Sequence, residues 1–191
     1  MESNYLYQQD FAGKTYAGDE FPAGEYEDCS FTDCIWDAAS LENIQFMDCR
    51  FKNCRLSNAK LAESQWQNVE FQDCQLLGLL FSEINPFLFK IQWKGSQIQY
   101  GSFFQLDLRA CSFASSQILE VDFVESDLRK VPFLECDLRG SQFERSNLAE
   151  TDFRTSKGIR LSLGQNAVKG AKFSLPQLPG LLSEFQLDIE L

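Results

Sequence analysis

The sequence predicts an all-β fold, a right-handed quadrilateral parallel β-helix of about eight coils that ends in a short helix. The first observation is a five-residue period. From Phe11 to Phe173 a large apolar residue recurs at every fifth position, with one two-residue shift and one exception at Gly158. The second is that all seven cysteines lie two residues before one of these large residues. A period of five fits neither an α-helix nor an ordinary strand, but it fits a chain that turns a corner every five residues.

Four corners close a square, so residues twenty apart are expected to stack in columns. The first column is aromatic throughout, the second changes from aromatic to Leu and Ile, the third is mainly Phe, and the fourth ends in Leu. The first contains Phe11, Phe31, Phe51, Phe71, Trp93, Phe113, Phe133, Phe153 and Phe173; the third contains Phe21, Leu41, Leu61, Phe81, Phe103, Phe123 and Phe143; the fourth ends with Leu88, Leu108, Leu128 and Leu148. Strands stack about 4.8 Å apart, which predicts a rod roughly 38 Å long.

The repeat is expected to occupy residues 11–175, between an N-terminal cover at 1–10 and a C-terminal capping or dimerisation helix at 176–191. Because the columns keep their character across the shift, the two extra residues are placed as an insertion on one face near 82–87. Pro176 and Pro179 break the repeat, and a short amphipathic helix is expected from Gly180 onward. Its apolar residues either cap the last coil or also join two rods as a symmetric dimer. They are Leu178, Leu181, Leu182, Phe185, Leu187 and Ile189.

The composition argues against enzymatic chemistry. Histidine is absent, which removes the commonest general base and the commonest metal ligand. The repeat accounts for every cysteine as a small buried apolar residue, so neither a metal site nor any cofactor is expected. Carboxylates lie at outward corners without a cleft, and no phosphate-binding loop is present. The chain is therefore expected not to be an enzyme.

Charge and cysteine usage narrow the partners and the compartment. A net charge of −11 argues against nucleic acid and anionic membranes as direct partners. No apolar run approaches the roughly 20 residues of a membrane-spanning helix. The odd number of cysteines and the polar first ten residues, which lack a signal-peptide pattern, predict a cytoplasmic protein with free thiols.

The outward positions of the third column form a candidate binding surface, here called the acidic stripe. It comprises Glu20, Glu42, Glu63, Glu83, Asp122, Glu125 and Glu144, set against Lys60 and Arg145. A one-sided row of carboxylates is suited to docking into a basic groove. The alternative is that these carboxylates only keep the solenoid soluble and prevent edge association.

Apolar residues at outward positions form a second candidate, here called the apolar patch. Its members, which surround the insertion, are Leu80, Phe87, Phe89 and Phe104. Exposed aromatic side chains rimmed by charge are typical of a binding site. The alternative is that the extra residues of the insertion fold back and cover these side chains.

The triplets Ser126-Asp127-Leu128, Cys136-Asp137-Leu138 and Ser146-Asn147-Leu148 resemble the signature of pentapeptide-repeat proteins. More narrowly, the chain resembles the Qnr-like group in the segments 85–89, 152–156 and 172–182. This resemblance implies a quadrilateral β-helix that dimerises through its C-terminal end. It also implies binding to DNA gyrase or topoisomerase IV as a DNA mimic, and protection against quinolones. The chain departs from that group in having a two-residue insertion where Qnr proteins project long loops.

Two functional hypotheses follow. The first is a non-enzymatic protein-binding scaffold whose partner is a type II topoisomerase; the second is an interaction module with an unrelated cytoplasmic partner. Residues 1–48 hold 11 acidic and 1 basic residue, net −10, whereas residues 49–191 hold 17 and 16, net −1. A B-DNA segment of the predicted length would carry about 22 charges, so only one face could imitate DNA. The acidic N-terminal third is the surface that an unrelated partner would recognise.

Overall fold

The computed structural model describes residues 4–187, which form a parallel β-solenoid of short strands. The strands are β1 (Tyr5–Tyr7), β2 (Asp10–Ala12), β3 (Thr15–Ala17), β4 (Glu25–Glu27), β5 (Ser30–Thr32), β6 (Ile35–Asp37), β7 (Gln45–Met47), β8 (Arg50–Lys52), β9 (Arg55–Ser57), β10 (Gln65–Gln67), β11 (Val69–Gln72), β12 (Gln75–Leu77), β13 (Ile91–Lys94), β14 (Gln97–Gln99), β15 (Ser112–Ala114), β16 (Gln117–Leu119) and β17 (Phe133–Leu134). A four-residue helix, α1 (Leu178–Leu181), lies between two 3₁₀ turns at Leu175–Gln177 and Ser183–Phe185, and a further 3₁₀ turn spans Phe81–Glu83.

The strands form three parallel sheets that correspond to three of the four predicted columns. The first face carries the seven-stranded sheet β2-β5-β8-β11-β13-β15-β17, and the second face carries the six-stranded sheet β3-β6-β9-β12-β14-β16. The fourth face begins with the four-stranded sheet β1-β4-β7-β10. The third face is held by isolated parallel bridges such as Ser102 with Asp122. The predicted parallel β-helix is therefore confirmed.

The register between coils confirms the stacking at twenty residues and the position of the shift. Phe31 pairs with Phe51, twenty residues on, whereas Val69 pairs with Ile91, twenty-two residues on. The two extra residues therefore lie between β12 and β13, where the sequence predicted the insertion. Because the register recovers at once, the insertion changes one corner and leaves the stack continuous.

The number of regular turns differs slightly from the expected eight. The longest sheet, β2 to β17, contains seven strands and so spans about six turns. Beyond it, single bridges from Pro132 to Asp152 and from Asp152 to Lys172 replace the strands. In the later coils a two-residue turn occupies each corner, and only one bridge residue remains on most faces of the coil. The periodicity therefore overestimated the number of coils that carry regular strands.

Stacked aromatic rings fill the interior. On the first face the ring centroids of Phe31 and Phe51 lie 4.7 Å apart, and those of Phe113 and Phe133 lie 4.9 Å apart. These separations match the spacing of hydrogen-bonded strands, so each ring packs on the ring one coil away. All seven cysteines are buried and unbridged beside these rings. Each coil therefore depends on its neighbours for its core.

The corners share a backbone feature that the periodicity alone did not reveal. The residue two positions after many of the large residues has a left-handed conformation, as in Asp28 at φ 50°, Asn53 at φ 54° and Gly78 at φ 63°. Asp, Asn and Gly tolerate this conformation best, which explains their frequency at this position. The spacing of Asp, Asn and Gly along the sequence therefore indicates where the corners lie.

The insertion places one side chain contrary to expectation. Phe89 is 5% exposed and its ring lies 6.2 Å from that of Phe81, so it belongs to the core and not to the apolar patch. Leu88, assigned to the fourth column, is 62% exposed with φ 55°. The five-residue period fixes how many residues are extra but not which of them turns inward, and the larger ring fills the interior.

The C-terminal segment covers the last coil. α1 begins at Leu178 and includes Gly180, so the helix starts earlier than expected and is only one turn long. A Cβ atom at Gly180 would clash with the Ile159 carbonyl oxygen, so this close approach of the two backbones requires glycine. Leu181 is buried against the core, whereas Ile189 lies outside the described residues.

The three core tryptophans differ in hydrogen bonding, which predicts different costs of replacement. Trp66 Nε1 donates to Ser64 Oγ at 2.8 Å, whereas within residues 4–187 the buried Nε1 of Trp36 has no partner. Trp66→Phe should therefore cost about 1 kcal/mol more in the free energy of unfolding than Trp36→Phe, because only the first breaks a hydrogen bond. Urea unfolding of both variants would measure the difference, and an equal or reversed order would contradict it.

Candidate protein-binding surfaces

The acidic stripe lies on the third face, as the sequence predicted. Its members point outward from every third-face coil between Phe21 and Phe143 except that of Phe103, and they are exposed, apart from Glu42 and Asp122, which are half-buried. They stand on the corners and bridges that flank the inward apolar residue of their coil, so the coil spacing sets their separation. The third face therefore presents carboxylates along most of the rod.

Hydrogen bonds from other residues of the chain fix the carboxylates toward both ends of the acidic stripe. At the N-terminal end Glu20 accepts a hydrogen bond from the Ala17 amide at 3.0 Å. At the other end Glu125 accepts hydrogen bonds from Gln105 at 2.7 Å and from Arg145 at 2.8 Å. These contacts lower the pKa of Glu125, so it is ionised at neutral pH and its charge is partly compensated.

The middle of the stripe is less compensated. The Glu63 amide donates to the Glu83 carbonyl at 3.0 Å, which stacks these two residues on adjacent coils. Neither carboxylate forms an ion pair within residues 4–187. The negative potential of the third face is therefore least neutralised near the insertion.

On the fourth and second faces of the later coils, aspartates are paired with the arginine two residues on. Asp107 pairs with Arg109 at 2.6 Å, and the equivalent pair one coil on is 2.5 Å apart. Burial raises the pKa of Asp137, but the hydrogen bond and charge of Arg139 outweigh it and hold the pKa below its usual value. These ladders contribute little net charge, which leaves the third face as the acidic side of the central coils.

The apolar patch is exposed at three of its four positions. Leu80, Phe87 and Phe104 are exposed, so the insertion does not cover them, whereas Phe89 is buried. Three exposed residues that the sequence reasoning missed come from the same part of the chain: Leu77, Leu88 and Tyr100. Leu77 and Tyr100 occupy ordinary outward positions of the repeat, so their apolar character was a signal that could have been used.

The C-terminal candidates divide into two groups. Leu181 is buried and Leu182 is half-buried, which fits a capping role. Leu178, Phe185 and Leu187 are exposed together with Leu175. The segment therefore covers the last coil and also presents an apolar surface.

The described part of the chain offers neither a metal centre nor a membrane span. Across residues 4–187, no cluster of three or more Cys, Asp or Glu side chains is arranged to hold a metal ion. No helix within that range is long and apolar enough to cross a bilayer.

Comparison with known proteins identifies the repeat. Residues 24–87 match the family model described as pentapeptide repeat region. No curated protein sequence matches the chain. The family match covers the coils from β4 to the insertion, where the strands are most regular.

Two solved structures share the fold at low sequence identity. QnrB1, a plasmid-mediated fluoroquinolone resistance protein, matches in its trypsin-treated form with a TM-score of 0.77 and 14% identity, over 99% of this chain and 100% of that one. HetL, a pentapeptide repeat protein involved in heterocyst differentiation regulation from the cyanobacterium Nostoc sp. strain PCC 7120, matches with a TM-score of 0.70 and 12% identity, over 87% of this chain and 84% of that one. At these identities the likeness shows the fold alone.

Proposed function

We propose that this chain, which carries a pentapeptide repeat region and has the pentapeptide-repeat β-helix fold, is a non-enzymatic scaffold. It is located in the cytoplasm and binds another protein. The observation that supports this most is the row of outward carboxylates on the third face, least compensated at Glu63 and Glu83. Stacked rings fill the interior, so a partner can contact only the side chains on the outer surface. A rigid row of like charges favours docking into a basic groove.

The specific partner in this proposal is a type II topoisomerase, either DNA gyrase or topoisomerase IV. The Qnr-like resemblance of the sequence supports it, and QnrB1, which shares the fold, is a fluoroquinolone resistance protein. Topoisomerases hold DNA in basic grooves, which a one-sided acidic rod could enter as a DNA mimic. The net charge of −11 is half of the about 22 charges of an equally long B-DNA segment. The imitation is therefore confined to the third face, and its consequence would be altered quinolone sensitivity.

Supercoiling assays with DNA gyrase at increasing protein concentration, with and without ciprofloxacin, test this partner. The expected result is inhibition or protection that a stripe variant loses, namely Glu63→Gln, Glu83→Gln, Asp122→Asn and Glu125→Gln together. A matched variant with the same change in charge on the other faces should retain the effect: Glu70→Gln, Asp73→Asn, Glu135→Gln and Glu150→Gln. If the unsubstituted protein neither inhibits nor protects, the topoisomerase partner is wrong.

The second candidate function is an interaction module whose partner recognises the acidic N-terminal third. The net charge of −10 over residues 1–48 favours it, since this charge is not confined to one face. The two candidate functions are separated by testing whether a variant that lacks most of the negative charges of residues 1–48 still captures its partner. That variant replaces Asp19, Glu20, Glu25, Glu27, Asp28, Asp33 and Asp37 with their amides. The stripe proposal expects the substitutions at Glu63, Glu83, Asp122 and Glu125 to weaken binding more.

A homodimer through the C-terminal surface completes the proposed assembly. The exposed Leu178 and Phe185 would be buried between two copies, which would place two acidic stripes on one symmetric rod. Leu178→Asp with Phe185→Asp should convert a dimer into a monomer in analytical ultracentrifugation. Leu134→Asp, a similarly exposed position on the first face, should remain dimeric. A monomeric unsubstituted protein at micromolar concentration would contradict the dimer.

A further inference from the structure

Exposed large apolar side chains are concentrated in the middle of the rod. Of the thirteen in the described residues, six come from residues 77–104, and the others lie near the two ends except for the isolated Leu134. We call these six the mid-rod cluster: Leu77, Leu80, Phe87, Leu88, Tyr100 and Phe104. A concentration of this kind on a soluble protein is typical of an interaction surface.

The backbone brings four of these side chains onto two adjacent coils. Leu77 pairs with Gln99, next to Tyr100, and Leu80 forms a parallel bridge with Ser102. Phe104 follows two residues later on the third face. Phe87 and Leu88 lie on the insertion that joins the two coils in sequence. The mid-rod cluster therefore lies on the third face and at its corners, where the stripe is least compensated.

Two members of the mid-rod cluster are large apolar residues at corners where the backbone is left-handed. Tyr100 has φ 53° and Leu88 has φ 55°, and no other large apolar residue within residues 4–187 has a positive φ. The equivalent corners on the neighbouring coils of Tyr100 are Gly78 and Glu120. A left-handed conformation disfavours a bulky side chain. Both side chains are also more than half exposed, so neither contributes to the core and the fold does not require an apolar residue at either corner.

Carboxylates surround the mid-rod cluster on both adjoining coils. Glu63 lies on the preceding coil and Glu83 on the coil of Leu80 itself, while Glu120 and Asp122 lie on the coil that follows. Lys60 lies one coil before Leu80, and Lys90 and Arg109 lie beside Leu88 at the insertion. The surface is thus apolar at its centre, with a rim that is mainly negative on the third face and cationic beside the insertion.

From this arrangement we infer that the mid-rod cluster is the docking site for an amphipathic segment of a partner protein, with apolar anchors flanked by lysine or arginine. The inference rests on the proposed protein-binding function and specifies the chemistry of the partner. The apolar anchors bury the six side chains, and the flanking cations meet the carboxylates. A second copy of this chain fits worse because it would place a like-charged rim against this one and carries a net charge of −11.

Binding of two fluorescent 14-residue helical peptides tests the inference by anisotropy, one composed of leucine and lysine and the other of leucine and glutamate. The leucine-lysine peptide should bind and the leucine-glutamate peptide should not. The double variant Leu80→Ser with Tyr100→Ser should weaken binding by at least about tenfold, since two anchors contribute more than the 1.4 kcal/mol that tenfold represents. Leu134→Ser removes an equally exposed leucine elsewhere and should bind as the unsubstituted protein does.

Three outcomes would overturn the inference. One is the absence of binding by the leucine-lysine peptide, and another is undiminished binding by the double variant, which would indicate attraction by net charge alone. The third is self-association that the double variant abolishes, which would assign the surface to a second copy. Gyrase inhibition is measured without these peptides, so failure here and failure of the topoisomerase proposal are distinguishable. Thermal unfolding of the double variant establishes that the fold is retained.

Discussion

Phe123→Ala should lower the free energy of unfolding by about 4 kcal/mol, the middle of the range for truncating a buried aromatic side chain to alanine. Phe123 is fully buried, and its ring centroid lies 5.2 Å from that of Phe103 and 5.1 Å from that of Phe143. The first-face rings of Phe113 and Phe133, each half a coil away along the chain, make edge contacts with it. Truncation therefore opens a cavity between coils that cannot close without breaking strand register, so little relaxation can offset the loss.

Equilibrium unfolding in urea measures this effect. Leu134→Ala is the control because Leu134 is exposed on the neighbouring coil, and it should cost less than about 1 kcal/mol. Since solenoid coils are stabilised mainly by their neighbours, the Phe123 variant should also separate the transitions of the N-terminal and C-terminal coils. A cost below about 1 kcal/mol for Phe123→Ala would contradict the stacked core.

Gln177→Leu should detach the C-terminal segment from the last coil. Gln177 is buried, and its Nε2 donates to the carbonyl oxygens of Phe153 at 2.5 Å and Ser156 at 2.7 Å. Its Oε1 accepts the Ser174 amide at 2.8 Å. Leucine has a similar size but leaves two carbonyls and one amide without these partners, at roughly 1–3 kcal/mol for each buried group. The segment should therefore open locally long before the solenoid unfolds.

Amide hydrogen exchange is the appropriate measurement because it reports local opening. The Leu182 amide, which donates to Leu178 at 3.0 Å, should exchange at least about a hundredfold faster in the variant. Amides of the central strands should be unchanged. Gln165→Leu alters an exposed glutamine near the same end and should leave the segment protected. Unchanged exchange of Leu182 in Gln177→Leu would show that this side chain does not hold the cap.

The architecture could be predicted from the sequence because the repeat encodes it redundantly. Residues twenty apart share size and polarity, and each inward ring contacts the rings above and below it, as Phe113 does with Phe133. The position of the insertion followed from the same pattern. The acidic stripe also followed, because outward positions are fixed once the inward column is known. The comparisons with known structures confirm the β-helix fold.

The remaining features depend on choices that periodicity does not determine. Phe89 and Leu88 are adjacent apolar residues in a corner with two extra positions, and their relative packing decided which one turned inward. The start of α1 depends on the close approach of Gly180 to the Ile159 carbonyl, a contact between residues far apart in sequence. The compensation of Glu125 by Arg145, and its absence at Glu63, depends on rotamers of long side chains across coils. Such details require the three-dimensional arrangement.

Labelling of native thiols tests the central claim most directly, because all seven cysteines are buried beside the stacked rings. Burial also raises the pKa of Cys49 and of Cys111 to about 12, so these thiols remain protonated at pH values where unfolded cysteines ionise. With Ellman's reagent at pH 8, the native protein should show essentially no reactive thiol, and the protein unfolded in guanidinium should show all seven. Rapid labelling of several thiols in the native state would contradict the coil in which residues twenty apart stack around a closed core.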